Sequence, residues 1–423
     1  MAHIFVIGGL IDFQKKGNQS IKHTVNGFIE KYKIMYFSIL PHNHKNIDTS
    51  YKADCKKLII HRLPQILTTI YALISSSRSI SKKKATSSNN AKASEVVSYF
   101  ENVKTSTHIM YFLVQIFYVI FEFIRITLAL LRYGRPAFIY GVESYGALAA
   151  SIIGVIYKIP VVKRYQGTPL VVKNGEIQDK FLLLPYYISL LLNKKKDLVV
   201  MANDGTRGDA LLQHLGIPRD HHIFPMNGFD GNGMNNTQRG IYTDTKKIVV
   251  LSKLKVWKRV DRAVKLMEQV VSGFPNSELH IIGDGEMRRQ LEELTADLGL
   301  NENVIFHGAI DHAEAMHILS TGEVFWSFYD VSNLGNPVIE AALMGKPIIT
   351  LDDGSTSSLL EKKNFVPLRA LNKAAEITIE IFENAELKAQ YESISLRAAT
   401  KIQSWKNRMI FEQDSIDNWL MLK

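Results

Sequence analysis

Val324-Phe325-Trp326-Ser327-Phe328, then Tyr329-Asp330-Val331-Ser332-Asn333-Leu334-Gly335, then Asn336-Pro337-Val338-Ile339-Glu340 and Ala341–Met344, Gly345, Lys346-Pro347-Ile348-Ile349: this stretch decides the fold. The first run is apolar and β-rich, as in a strand buried on both faces. A polar loop follows. Asn336 suits an N-cap, Pro337 the first helical position and Gly345 the stop, so a short helix with its N-terminus near the strand end is predicted. Orphan N–H groups and the helix dipole make such an end a seat for phosphate. Glu340, one turn in, is a carboxylate able to accept from two neighbouring sugar hydroxyls.

The same grammar repeats upstream. Lys247–Leu251 is a strand, and Lys253 and Lys258 flank the loop that leads into a helix beginning near Asp261. Two cations after a strand are what a diphosphate needs nearby. Leu279–Ile282 is a strand ending in Gly283-Asp284-Gly285, before a helix Glu286–Leu298. A dinucleotide fingerprint would want a third glycine where Arg288 stands, so the nicotinamide fingerprint fails here. Val304–Gly308 is a further strand, containing His307, and Pro347–Leu351 another, with Asp352–Thr356 at its end.

In the first half, Ile4–Ile7 is a strand running into Gly8-Gly9, with Ile21, Val25, Phe28 and Ile29 at helical spacing beyond. Ile34–Ile39, Leu58–His61, Phe138–Gly141, Val161–Tyr165 and Asp197–Asn203 read as strands; Gln65–Ile74, Tyr145–Tyr157 and Thr206–Leu215 read as helices. Open α/β sheets bind ligands at strand C-terminal ends, which makes Glu143, Arg164 and Gln166 crevice candidates. Ser75–Ser94 is polar and basic, a surface insertion. Ile109–Leu131 is long and apolar but contains Glu122 and Arg125, a pair at i and i+3 that fits one helix face better than a bilayer centre. Asn227-Gly228-Phe229-Asp230 is a turn, and Gly231–Thr245 a linker.

The chain has 423 residues, enough for two domains, with 46% hydrophobic and 22% charged residues, a globular composition. A formal charge of +10 suits an anionic partner such as a nucleotide diphosphate or an anionic lipid surface. No zinc-finger spacing, RNA-binding aromatic signature or helix-turn-helix pattern supports nucleic acid. The single cysteine, Cys55, excludes an internal disulfide framework and fits a reducing cytoplasm. No basic region precedes the first apolar run, which therefore reads as a strand and not a signal peptide.

These motifs together resemble the retaining GT-B glycosyltransferases of family 4 (glycosyl transferases group 1), with their E-x7-E signature. The resemblance is strongest over Lys247–Thr350, fair over Tyr140–Asp230 and weakest over Thr49–Arg135. It implies an α/β GT-B fold of two doubly wound Rossmann-like domains facing a cleft. Residues 1–240 would be the acceptor-side domain, 241–400 the nucleotide-sugar domain, and 401–423 a helix crossing back.

The resemblance also implies roles. Lys253, Lys258 and Glu340 become the catalytic set: the lysines on the donor diphosphate, with Lys253 where the family has arginine, and Glu340 on the ribose. Ser332 falls where the family has its first glutamate, near the hexose, and Asp330 is a carboxylate two residues upstream. Donor contacts fall on Gly9, Gly283, Gly285, His307, Ser332, Asn333, Leu334, Gly335 and Asn336. Gly8, Glu143, Arg164 and Gln166 lie on the acceptor side, with Gln166 near the position of a histidine in many relatives. The implied reaction moves a sugar from a nucleotide diphosphate sugar to a hydroxyl of a surface polysaccharide or lipid-linked glycan, without metal or cofactor. The single cysteine fits the cytoplasm, and the +10 charge with Ser75–Ser94 and Ile109–Leu131 suits weak anionic membrane contact at the inner face. Two alternatives remain open: a non-catalytic binding subunit of the same fold, and a nucleotide-sugar epimerase.

Overall fold

The computed structural model describes residues 2–8, 19–41, 57–63, 105–173, 176–177, 184–229, 245–351 and 358–423. Gly9, the expected helix Gln65–Ile74, the basic stretch Ser75–Ser94, Asp230, all of the linker but its last residue, and Asp352–Thr356 lie outside the described residues. The chain divides into two units. One comprises Met1–Asn203, Gly208–Pro225 and Lys406–Lys423; the other comprises Asp204–Arg207 and Met226–Trp405.

The strands of the first unit are β1 (His3–Gly8), β2 (Lys33–Pro41), β3 (Leu58–Leu63), β4 (Ile139–Val142), β5 (Val161–Tyr165), β6 (Val172–Lys173), β7 (Glu176–Ile177), β8 (Leu198–Met201) and β9 (His222–Ile223). Seven form one sheet in the order β3-β2-β1-β4-β5-β8-β9; β6 and β7 pair separately. The seven pair in parallel throughout. Its helices are α1 (Gln19–Lys31), α2 (Thr105–Tyr133), α3 (Glu143–Tyr157), α4 (Leu184–Leu191) and α5 (Gly208–His214). Successive residues of β1 face opposite sides. Ile4 and Val6 pack with Ile21, Val25 and Phe28 of α1, whereas Phe5 and Ile7 pack with Val119 and Ile126 of α2 and with Ile153 of α3. Both faces are therefore covered, which is why β1 reads as an unbroken apolar run.

The second unit carries β10 (Lys247–Leu251), β11 (Glu278–Ile282), β12 (Val304–Gly308), β13 (Val324–Ser327), β14 (Ile348–Leu351) and β15 (Phe365–Val366). They form one parallel sheet in the order β12-β11-β10-β13-β14-β15. Its helices are α6 (Val260–Gly273), α7 (Arg288–Asp297), α8 (His312–Thr321), α9 (Asn336–Leu343), α10 (Lys373–Glu383) and α11 (Ala385–Ala399). Trp405–Met421 is the last helix, α12, and all but its first residue groups with the first unit. Ile248 and Val250 pack toward Val264 and Met267 of α6; Val249 packs toward Leu319 of α8 and Val338 of α9. Each such fully buried aliphatic side chain contributes roughly 1.5–3 kcal/mol.

From β10 the chain moves to β11 on one side and returns to β13 on the other. The order reverses between β10 and β13, and a crevice opens at the C-terminal ends of strands at such a reversal. The predicted strand–loop–helix is present there, with one shift: Gly335 is the N-cap, Asn336 opens α9 and Pro337 follows it. At the other end Gly345 takes φ +65, the left-handed stop that glycine favours.

Candidate donor site at the sheet reversal of the second unit

Two loops meet at the reversal. The amide of Asp330, after β13, donates to the carbonyl of Trp257, after β10 (3.1 Å). Arg262 of α6 locks the same turn, with Nη1 donating to the Phe328 carbonyl (2.7 Å) and Nη2 to Asp330 Oδ1 (2.6 Å). Inside the loop, Asn333 is fully buried; its Oδ1 accepts from the Tyr329 amide (3.0 Å) and its Nδ2 donates to the Tyr329 carbonyl (3.0 Å). Leu334 is equally buried, in the core. These two side chains hold the loop's shape, and any ligand contact there falls to backbone.

Lys258 sits over both aromatic rings of this junction, with Nζ 4.2 Å from the Trp257 centroid and 3.7 Å from that of Tyr329. Burial pushes its ammonium down to about 7; Asp204 pulls upward, and Lys255 and Lys253 press it down further. Three lysines thus crowd one loop, a repulsion that a bound polyanion would relieve. Lys253 itself is exposed.

Ser332 lies in the left-handed region at φ 65. Its hydroxyl donates to the Asp204 carbonyl (3.0 Å), and Asp204 Oδ2 lies 3.4 Å away. Asp204 Oδ1 accepts from the Thr206 hydroxyl (2.6 Å) and amide (3.1 Å). Burial raises the Asp204 carboxyl above its usual range, against the lowering effect of Thr206 and Ser332. The carboxylate beside Ser332 is therefore Asp204; Asp330, the neighbour expected from the sequence, is turned to Arg262 and Arg259. Sequence reasoning missed Asp204, which lies 128 positions from Ser332.

Gly335 and Gly283 are glycines for different reasons. At Gly283, with φ +129, an added Cβ would lie 1.9 Å from the Ser252 carbonyl oxygen. At Gly285 it would lie 2.4 Å from that of Leu254. Here strand-end loops lie against each other, and Ser252 and Leu254 amides donate to Ile282 and Asp284 carbonyls (2.9 and 3.0 Å). At Gly335 the nearest atom to an added Cβ is Pro337 Cδ at 3.6 Å, and φ −83 suits any residue. Neither packing nor backbone demands glycine, so the missing side chain leaves open an approach to the Gly335 and Asn336 amides. Pro337 has no N–H to offer.

Glu340 Oε1 accepts from His312 Nε2 (3.0 Å), at the start of α8, and remains partly exposed. His312 carried no signal in the sequence. His307 bonds inward: its Nε2 lies 2.9 Å from His280 Nδ1, and His280 Nε2 lies 2.8 Å from Glu278 Oε2. Burial, and then the neighbouring His280, lowers the His307 imidazole.

The expected acceptor-side residues belong to the first unit. Gly8 ends β1, where an added Cβ would lie 2.4 Å from the Tyr36 hydroxyl. Glu143 opens α3 at φ 58, at the β1–β4 reversal, and its Oε1 accepts from the Gln166 amide (2.9 Å). Arg164 is 2% exposed, and its Nη1 is 3.8 Å from Glu412 Oε2, which also pairs with Arg408 (2.8 Å). That guanidinium is held in the interior and does not reach a strand-end crevice. Burial alone would raise the Glu412 carboxyl, but Arg408 and Arg164 outweigh it and hold it below its usual range.

Residues 235–394 match the family model described as Glycosyl transferases group 1. The matched residues lie within the second unit. A curated relative, the GDP-mannose-dependent monoacylated alpha-(1-6)-phosphatidylinositol monomannoside mannosyltransferase of Corynebacterium glutamicum, is 26% identical over 153 residues. That match covers 34% of this chain and 40% of the relative, well under two thirds of its length. Sucrose-phosphate synthase from Thermosynechococcus elongatus superposes with a TM-score of 0.68 over 100% of both chains at 14% identity. Anabaena HepE, solved with UDP and glucose, gives 0.62 at 13% identity over 98% of this chain and 100% of its own. At these identities the likeness shows the fold: two parallel-sheet α/β domains of GT-B type. The matched residues include both loops of the reversal, from Lys253 to Glu340.

Proposed function

We propose that the chain is a retaining glycosyltransferase that moves a hexose from a nucleotide diphosphate sugar to a hydroxyl of a polysaccharide or lipid-linked glycan. The observation that carries this reading is the junction of the β10 and β13 loops, where Lys258 lies 3.7 Å from the Tyr329 ring centroid and the β13 loop runs on to Gly335, the N-cap of α9. Lys253 and Lys258 neutralise the departing diphosphate as the bond from the sugar's anomeric carbon to phosphate oxygen breaks. The acceptor oxygen bonds to that carbon on the same face, and its proton passes to the leaving phosphate oxygen. Glu340, oriented by His312, holds the ribose hydroxyls; Ser332, with Asp204 behind it, faces the hexose. Glu143 and Gln166 belong to the acceptor side. The lysines supply the charge, so the reaction takes no metal.

The relative that uses GDP-mannose and the neighbour solved with UDP support a nucleotide diphosphate donor and leave the base open. The test is transfer of a radiolabelled sugar into extracted glycolipid or polysaccharide, with the product's anomeric configuration read by NMR. Transfer with the donor's configuration kept, and undiminished by EDTA, is expected. An inverted product overturns retention, loss of transfer in EDTA overturns the metal-free reading, and epimerised free donor without transfer points to an epimerase.

A further inference from the structure

Helix α2 is apolar on its exposed face as well as its buried one. Its acid, Glu122, is 0% exposed and accepts from Arg125 Nη1 (2.6 Å), whereas Ile120, Ile124, Leu128 and Leu131 are 56%, 51%, 60% and 82% exposed. With Phe117 at 49%, these residues recur every three or four positions and form one stripe directed away from the sheet. Val119, Ile126 and Ala129 make the opposite, buried face. The stripe continues onto the end of α3, where Val155 and Ile156 are more than half exposed beside Tyr157, which hydrogen-bonds Thr127 of α2 (2.8 Å).

At its C-terminal end the stripe meets three exposed cations. They are Arg132, Arg135 and Lys158, the last two joined by a hydrogen bond from the Arg135 guanidinium to the Lys158 carbonyl. Between residues 116 and 135 the only acid is the buried Glu122. Among the described residues no helix is long and apolar enough to cross a membrane. An exposed apolar stripe with a cationic end is the form of a helix that lies in a lipid interface, apolar side down. We infer that this face of α2, with the end of α3 and the Arg132–Arg135–Lys158 cluster, seats the protein on an anionic lipid surface. A second copy laid on the same face would bring like charges together; anionic headgroups satisfy the stripe and the cations at once.

The test is co-sedimentation of the full chain with vesicles of phosphatidylcholine alone and of phosphatidylcholine mixed with phosphatidylglycerol. The parent is expected to favour the mixed vesicles and to release them as salt rises. Arg132→Gln and Lys158→Gln should each lower binding to mixed vesicles about fivefold. Ile120→Ser combined with Leu128→Ser should lower it at least about tenfold with the melting temperature unchanged, because both side chains already face outward. A parent that stays in the supernatant with mixed vesicles overturns the inference, and so does a double variant that sediments as well as the parent. If the parent instead self-associates and the double variant is monomeric while neither binds vesicles, the face belongs to a second copy.

Discussion

Ser332 is held in the left-handed region, at a cost on the order of 1–3 kcal/mol, by a hydroxyl bond to Asp204. Backbone strain of this kind, next to the Asp204 carboxylate, fits the proposed role of this loop in binding a ligand. Glu340→Ala should abolish most sugar transfer, because ribose hydroxyls left unpaired in a desolvated site cost about 1–3 kcal/mol. Ser332→Ala should cost about 0.5–1.5 kcal/mol of donor affinity, the worth of one neutral hydrogen bond. Asp204→Asn should fall between them, since it removes the charge beside Ser332 and Lys258 while an amide oxygen can still accept from Thr206. Donor titration and transfer rates check the order; Asp204→Asn equal to the parent would remove it from the site. At this scale the sequence was half legible. Glu340 and the paired lysines stand in a local pattern, but Asp204 and His312 join the candidate site only through tertiary folding, and no spacing rule links them to it.

The elements were easier to read than their contacts. The β13–loop–α9 unit announces itself through a buried apolar run, a proline near the helix start and a glycine at its stop. The N-cap differs by one position from the expected one: Gly335 takes the extended cap conformation and Asn336 is already helical. The two kinds of glycine look alike in sequence and differ in the fold. Gly283→Ala should cost on the order of 3 kcal/mol and lower the melting temperature, since its Cβ would lie 1.9 Å from a carbonyl at a positive φ. Gly335→Ala should leave the melting temperature unchanged and weaken donor binding. Thermal melts of the two variants beside donor titrations check this; a destabilised Gly335→Ala would make that glycine structural. For α2, the sequence showed that Glu122 and Arg125 share a face but not that the face points inward, which depends on the sheet beneath it.

For the whole molecule, two parallel sheets follow from apolar runs alternating with helical patterns. The reversal at β10 and β13 does not follow from them, because strand order depends on which strands pair. Buried charge makes global stability depend on pH in a definite direction. Burial pushes the Glu122 carboxyl up to about 7 despite Arg125. A carboxyl raised above its unfolded value of about 4.5 favours the fold only while protonated; that contribution is full below about pH 4.5 and lost as pH rises through about 7. Glu122→Gln should therefore stabilise the protein at pH 8 by up to about 3 kcal/mol and have little effect near pH 4. Denaturant melts at the two pH values check the sign, and an equal gain at both would exclude titration of Glu122 as the cause.

The proposed nucleotide diphosphate sugar site is tested most directly by calorimetric titration of a panel of UDP- and GDP-sugars at pH 8, in two buffers of different ionisation enthalpy. At least one donor should bind and take up about one proton, because a diphosphate beside Lys258 restores an ammonium that burial had lowered to about 7. Lys258→Ala should bind that donor about 10–100-fold more weakly, the loss of one charge-assisted contact, and take up almost no proton. A panel that contains no ligand, or a donor bound by Lys258→Ala as tightly as by the parent, would contradict the assignment.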